Sequence, residues 1–505
     1  MNKYIALLVY FAVAFATTGP LLKSFYTDDD FDHVRAAIDG TEFSGREGWY
    51  NYIPLTGLVW RICWHFGYTG SAVALRIVMW VLLAICAYAL FQLVDTITGR
   101  LRYGMLSGLV FIAHPSLFEV VLRLSCMHYL LGLTLQIFAL RAAYLFMGAG
   151  GRTKSFAIYI CCATLSIFAS LHSISIIPLT AILGLTMFFL GRQIRKQSLT
   201  PLLIGMALLS MQAMTIMVSI GVFENRSGAS SVGQSIVEHA WLVYYLLSWH
   251  IPLGSGSYIA LCGFRIVGIP VIPFLIFLLP AAVYFAIVWR NRYKKRDAII
   301  LVAFSLAGLL CSVLIPPKSY AMPRYLFYAS PWASIIIAFV LIQLLSQSGK
   351  VIGRIVPIIL LVMLSCSSIW CYYHQIKNQQ FASTFTLQLV TQVMREPHCE
   401  NVAIDKMPGQ GYYGAGLTFP RSSFYWVGQA FKAITFPIMA ESKVNHIAQR
   451  LMGRNSWEIY PDSHATWDSN TTMFLALDES GRRVIREQTA AHLRLTRGGS
   501  TKGEP

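Results

Sequence analysis

Apolar runs long enough to cross a bilayer recur along this sequence as far as residue 374. A hydrocarbon core of about 30 Å takes roughly 20 consecutive apolar residues in a helix. Lipid supplies no hydrogen-bond partner, so every backbone group must be paired within the protein. Eleven runs qualify: 4–22, 73–94, 104–121, 126–147, 155–172, 174–191, 201–222, 268–289, 298–315, 325–345 and 355–374. Of the 505 residues, 56% are hydrophobic and only 12% charged, against about 25% charged in a soluble domain. A soluble enzyme, a disordered protein and a disulfide-rich secreted domain are excluded. The expected fold class is an all-α polytopic membrane domain of about eleven transmembrane helices, followed by a small mixed α/β domain.

The first run follows Lys3 and is long for the apolar part of a signal peptide. No small-residue cleavage site precedes the acidic stretch behind it, so it reads as a retained span. Net charge is +17, and where that charge sits sets the orientation. Alternate loops carry Arg100 and Arg102; Arg152 and Lys154; Arg192, Arg195 and Lys196; Arg290, Arg292, Lys294, Lys295 and Arg296; Lys350 and Arg354. Only Asp95 and Asp297 oppose them. Basic loops stay in the cytoplasm, which puts the N-terminus there too. Segments 24–72, 223–267, 316–324 and 376–505 then face outward. The excess charge is thereby explained by topology, and no nucleic-acid partner is expected. Nine of the ten cysteines precede residue 375, mostly in apolar runs, and read as buried thiols. The absence of a cysteine framework outside suits a bacterial inner membrane.

Three regions follow: a transmembrane domain, 1–375; an extracytoplasmic α/β domain, 376–495; and a disordered tail, 496–505. The α/β domain is read from β-like runs at Asn401–Ile404 and Thr472–Leu477 and an amphipathic stretch near Val444–Met452.

The acids are few enough to place individually. Twelve of the 23 precede the polar tail, and seven of those fall between residues 28 and 47. Asp28, Asp29 and Asp30 stand together directly after the first span. Adjacent carboxylates repel, which favours protonation of at least one. Such a group can serve as a general base or bind a divalent cation. It can also cap the helix that Phe31–Ile38 resembles, although capping needs one Asp rather than three.

Next come His114-Pro115, Glu119, Arg123 and His128, candidate substrate-binding residues. Pro115 interrupts the apolar pattern, and Glu119 and Arg123 have the spacing of a pair on one helix face. Ionisable groups at this depth are costly and usually face a cavity, or tie two spans together. Basic groups recur at the outward face: His172, Arg265, Lys318 and Arg324, the last followed by Tyr325. Arginine forks match phosphate oxygens. Lys318 and Arg324 in one short Pro-rich loop therefore suit a lipid phosphate, with interfacial snorkelling as the alternative. There is no P-loop, GxGxxG, HExxH or GxSxG motif and no CxxC pair, so no residue is assigned as a resident metal ligand. Chemistry on the outer side has no nucleotide to draw on, and its activated substrate must arrive as a lipid.

This order of elements resembles the GT-C superfamily of polytopic glycosyltransferases, which includes protein O-mannosyltransferases and aminoarabinose transferases. The resemblance lies in the acidic group after span one (Asp28-Asp29-Asp30), Tyr52-Ile53-Pro54-Leu55 and the HP-x3-E element of His114, Pro115 and Glu119. It continues with a basic residue at His172 and a late Arg324-Tyr325, and covers roughly residues 1–345. Met127-His128 stand where the family often has Arg, and His172-Ser173 where it has Lys-Glu. The resemblance implies sugar transfer from a polyprenyl-phosphate donor to a glycan, lipid or protein acceptor, with inversion and an Asp of the first loop as base. His172, Arg265, Lys318, Arg324 and Tyr325 would bind the donor phosphate. An O-antigen polymerase or ligase is the alternative kept open by 223–267, with His239, Trp241, His250 and Arg265. A multi-pass transporter is the third reading, although neither related halves nor interrupted mid-membrane helices are evident.

Overall fold

A computed structural model describes residues 3–26, 30, 33–34, 53–148, 152–189, 194, 196–219, 243–244, 246–251, 258–261, 264–267, 269–270, 296–313, 323–347, 351–395, 401–404, 472–477 and 484–487. Within these ranges the side chains of Glu119, Arg265, Arg324 and Tyr325, among others, are not described. Six helices are long and apolar enough to cross a membrane: Lys3–Leu21, Thr69–Thr98, Leu124–Gly148, Leu171–Phe189, Ser198–Val218 and Leu326–Leu345. Shorter apolar helices occupy Leu101–Ala113, Thr153–Ala169, Ile299–Cys311 and Ile358–Tyr373. Each lies at one of the expected spans. Of the eleventh, residues 271–289 lie outside the described residues, and Ile269–Pro270 pairs antiparallel with His250–Ile251.

The chain divides into two compact units. The first comprises Met1–Pro20, Glu42–Val59 and Arg76–His374. Its centre is the helix at Leu326–Leu345, 83% buried, whereas Lys3–Leu21 and Ser198–Val218 are each 28% buried. Leu203, Ile204, Leu208 and Met211 project from the latter. Burying such side chains against another helix gains little over lipid, so packing quality rather than hydrophobicity selects helix contacts. Small residues supply that packing. The Tyr10 hydroxyl donates to the Met105 carbonyl at 3.1 Å, and a Cβ at Gly108 would stand 2.5 Å from that hydroxyl oxygen.

One expected span is broken. Helix Leu101–Ala113 ends at His114, a 3-10 turn follows at Pro115–Leu117, and a short helix runs Phe118–Leu122. Proline has no N–H and its ring collides with the preceding turn, so an uninterrupted helix through Pro115 is disfavoured. Arg123 then has an extended backbone, φ −95° and ψ 125°. Glu119 and Arg123 therefore do not share a helix face as their spacing suggests.

The second unit comprises Leu21–Thr41, Trp60–Leu75 and Gln375–Pro505. The loop after the first span thus groups with the chain after Gln375. The Phe25 N–H donates to the Ser383 hydroxyl within this unit. The helix Val351–Arg395 runs through residue 375. Asn401–Ile404 and Thr472–Leu477 are strands paired in parallel, and Val484–Glu487 adds antiparallel to the second. Val444–Met452 and 496–505 lie outside the described residues.

Candidate functional site

Within the first unit, interrupted helices meet in the interior. The breaks are the stretch between Ala113 and Met127, the 3-10 turn Leu171–Ser175, and the 3-10 segment Pro323–Ala329. Pro115–Leu117 and Phe118–Leu122 both pack against Pro323–Ala329, and Leu171–Ser175 packs against Met127–Gly148. The junction is polar although buried: His114, Ser116, Arg123, Ser125, Ser170, His172 and Ser173 all lie below the surface. Buried polar groups of this kind must find partners or cost stability.

His114 uses both ring nitrogens. Nδ1 accepts from the Ser116 N–H at 3.2 Å, which leaves the proton on Nε2. Nε2 lies 3.0 Å from the Leu246 carbonyl and donates to it. The ring also packs on Trp249, with centroids 4.6 Å apart. Trp249 has φ 54°, a left-handed conformation that costs a non-glycine residue roughly 1–2 kcal/mol. Its buried indole N–H donates to the Ser367 hydroxyl at 3.0 Å. His114 thus anchors the 246–249 turn through Nε2 and its own turn through Nδ1.

His172 lies in a cluster of rings. Its centroid is 5.0 Å from Tyr129 and 5.9 Å from Tyr328, at interplanar angles of 32° and 29°. The hydroxyls of Tyr328 and Ser173 are 3.0 Å apart. Gly132 makes room: a Cβ there would stand 2.3 Å from the Tyr328 hydroxyl oxygen and 2.7 Å from that of Ser173. His128, half-buried, places Nδ1 2.8 Å from the Ser125 carbonyl, so Nδ1 carries the proton. Its ring lies 4.0 Å from that of Tyr129.

The fold therefore gathers the segments of His114, Arg123, His128 and His172 around the one carrying Arg324 and Tyr325. Arg265 lies instead in a hairpin of Tyr258–Leu261 and Phe264–Val267, opposite Ala260. Lys318, Asp28 and Asp29 lie outside the described residues. Asp30, in the second unit, is fully buried. Among the described residues no three His, Cys, Asp or Glu side chains gather to hold a metal ion.

The sequence reading passed over several residues of this junction. Arg76 is buried, and its guanidinium donates to the Leu122 carbonyl. That carbonyl closes the short helix Phe118–Leu122, an end where a cation is favoured. An arginine inside the run 73–94 was a usable signal, because such a charge is costly in a span. Tyr129, Tyr328 and Gly132 carried no comparable signal, since aromatics and glycines are common in spans.

Two solved proteins are similar in structure to this chain. One is the archaeal oligosaccharyltransferase AglB from Archaeoglobus fulgidus, in complex with an inhibitory peptide and a dolichol-phosphate. It has a TM-score of 0.49 and 12% identity over 78% of this chain, which spans 58% of that protein's length. The other is ArnT from Cupriavidus metallidurans. Its apo state gives a TM-score of 0.45 and 13% identity over 97% of this chain and 98% of ArnT. Its complex with undecaprenyl phosphate gives 0.39 and 13% over 78% and 71%. No family model and no curated protein matches the sequence. At these identities and TM-scores the likeness assigns neither a family nor a site residue.

Proposed function

We propose that this chain is an integral-membrane glycosyltransferase that moves a sugar from a polyprenyl-phosphate donor to an acceptor hydroxyl on the outer face of a bacterial inner membrane. The observation that carries this reading is the convergence, inside an apolar bundle, of the segments bearing His114, His172 and Arg324-Tyr325. These are three of the elements whose order suggested the GT-C superfamily. Ionisable side chains inside a membrane domain are costly and mark functional sites by default, which favours chemistry as the reason for this junction.

In the proposed reaction a carboxylate of Asp28, Asp29 or Asp30 takes the acceptor proton. The acceptor oxygen bonds to the anomeric carbon from the face opposite the phosphate. The bond from that carbon to the phosphate oxygen breaks, polyprenyl phosphate leaves, and the configuration inverts. Arg324, Lys318 and His172 are proposed donor-phosphate ligands, with Tyr325 and Arg265 beside them. A divalent cation would be held by the acidic run and would offset charge there. Glycan, lipid and protein acceptors all satisfy this chemistry.

Purified protein incubated with undecaprenyl-phosphate-linked hexoses and an acceptor is expected to release undecaprenyl phosphate and glycosylate the acceptor. Movement of intact lipid without bond cleavage would favour the transporter instead. Repeated addition in one encounter would favour the polymerase. The orientation has its own expected result, motivated by the basic loops. A reporter that works only outside the cytoplasm, fused near residue 380, should be active, and a silent fusion there with an active one near Arg152 would invert the topology.

A further inference from the structure

We infer that Trp60 is a positioning residue that holds Asp30 in place by stacking on the rings at either side of it in sequence. The functional part of this inference rests on the reading of the acidic run as the source of the base. Tyr26 precedes Asp30 by four residues and His33 follows it by three. Both lie on the Trp60 indole: Tyr26 with centroids 5.9 Å apart and planes at 26°, His33 at 5.3 Å and 25°. Trp60 is 2% exposed, Tyr26 and Asp30 fully buried, and His33 half-buried.

The flanks are tied further. The Tyr26 hydroxyl hydrogen bonds the Ser71 hydroxyl at the start of the helix Gly67–Thr98. The Phe25 N–H donates to Ser383 on the helix Val351–Arg395. The rings of Phe25 and Tyr26 also pack together at 5.0 Å. All of these residues belong to the second unit.

Such bracing answers a physical need. Neighbouring like charges push an unrestrained segment apart, whereas a base must sit within a fraction of an ångström of its proton. Among its contacts, Trp60 stacks on the two aromatic rings that bracket Asp30, at interplanar angles of 26° and 25°. A flat ring therefore matters more at position 60 than apolar volume does.

Two measurements on the full-length, detergent-purified protein test this. Hydrogen exchange needs no substrate. In Trp60→Leu and in His33→Leu, amides of the peptide spanning residues 26–33 should exchange about tenfold faster. In Trp60→Phe and His33→Phe their exchange should match that of the unsubstituted protein. Unchanged exchange in both Leu variants would overturn the staple. If Trp60→Leu does not fold, the half-buried His33 pair decides alone.

The kinetic arm uses an undecaprenyl-phosphate hexose as donor. Trp60→Leu and His33→Leu should lower kcat about 10–100-fold with donor KM unchanged, since misplacement by about 1 Å can cost that much. The Phe variants should keep most of the rate. Combined with Asp30→Asn, neither Leu variant should slow the enzyme further, because both losses act through one carboxylate. Additive losses, or a silent Asp30→Asn, would remove Asp30 as the group Trp60 positions. The acidic run itself fails as the base only if the Asn variants of Asp28, Asp29 and Asp30 are all silent, so the two failures are separable.

Discussion

Changing the proposed base among Asp28, Asp29 and Asp30 to asparagine should slow sugar transfer by about 10²–10⁴, the usual contribution of a positioned general base. Asparagine keeps the shape and size of the side chain but cannot accept a proton at neutral pH. The loss should therefore fall on kcat, with donor KM and thermal stability little changed. The run contains three adjacent carboxylates, so Asp28→Asn, Asp29→Asn and Asp30→Asn are measured separately. One should show the full loss. Its neighbours should show smaller ones, because removing a like charge changes how readily the remaining carboxylates bind a proton. The corresponding glutamate variant should recover only part, since one added methylene displaces the carboxylate from the reacting hydroxyl. Near-normal rates in all three Asn variants would leave the run as a solvated helix cap.

The second large effect is expected at Arg324. It begins, with Pro323, the 3-10 segment Pro323–Ala329, whose residues Leu326 to Ala329 are buried in the junction. Two further prolines, Pro316 and Pro317, and then Lys318 precede it closely in the sequence. Hydrogen bonds to a charged phosphate are worth about 1.5–3 kcal/mol, so Arg324→Ala should cost about tenfold to a hundredfold in use of the donor. Arg324→Lys should restore only part, because an ammonium lacks the planar fork that matches two phosphate oxygens. If Arg324 merely snorkels to the interface, charge and length suffice and the lysine variant would be fully active. Donor KM and kcat for the two variants distinguish these outcomes.

Much of the architecture could be read directly. Six helices long and apolar enough to cross a membrane, and four shorter apolar ones, lie at ten of the eleven expected runs, because transfer of an apolar run into lipid is a nearly additive property of about 20 neighbouring residues. The strands at Asn401–Ile404 and Thr472–Leu477 were visible for a similar local reason. The site was legible only as isolated residues. Pro115 announced a break, but nothing local revealed that Arg123 would leave the helix. His114 stands out in the sequence as an ionisable residue beside a proline, but nothing local shows that its Nε2 meets the Leu246 carbonyl, 132 positions away.

Tertiary structure alone decided such pairings. Ser173 meets Tyr328 across 155 residues, and Phe25 meets Ser383 across 358. The physical cause is that a bilayer rewards every apolar run alike and does not say which helix faces which. That choice falls to close packing at positions such as Gly108 and Gly132, and to buried donors that must each find an acceptor. Local sequence therefore determined which segments form apolar helices, six of them long enough to cross a membrane. Only the fold determined which interrupted helices meet, and that Tyr26 and His33 both lie on Trp60 with Asp30 between them in the chain.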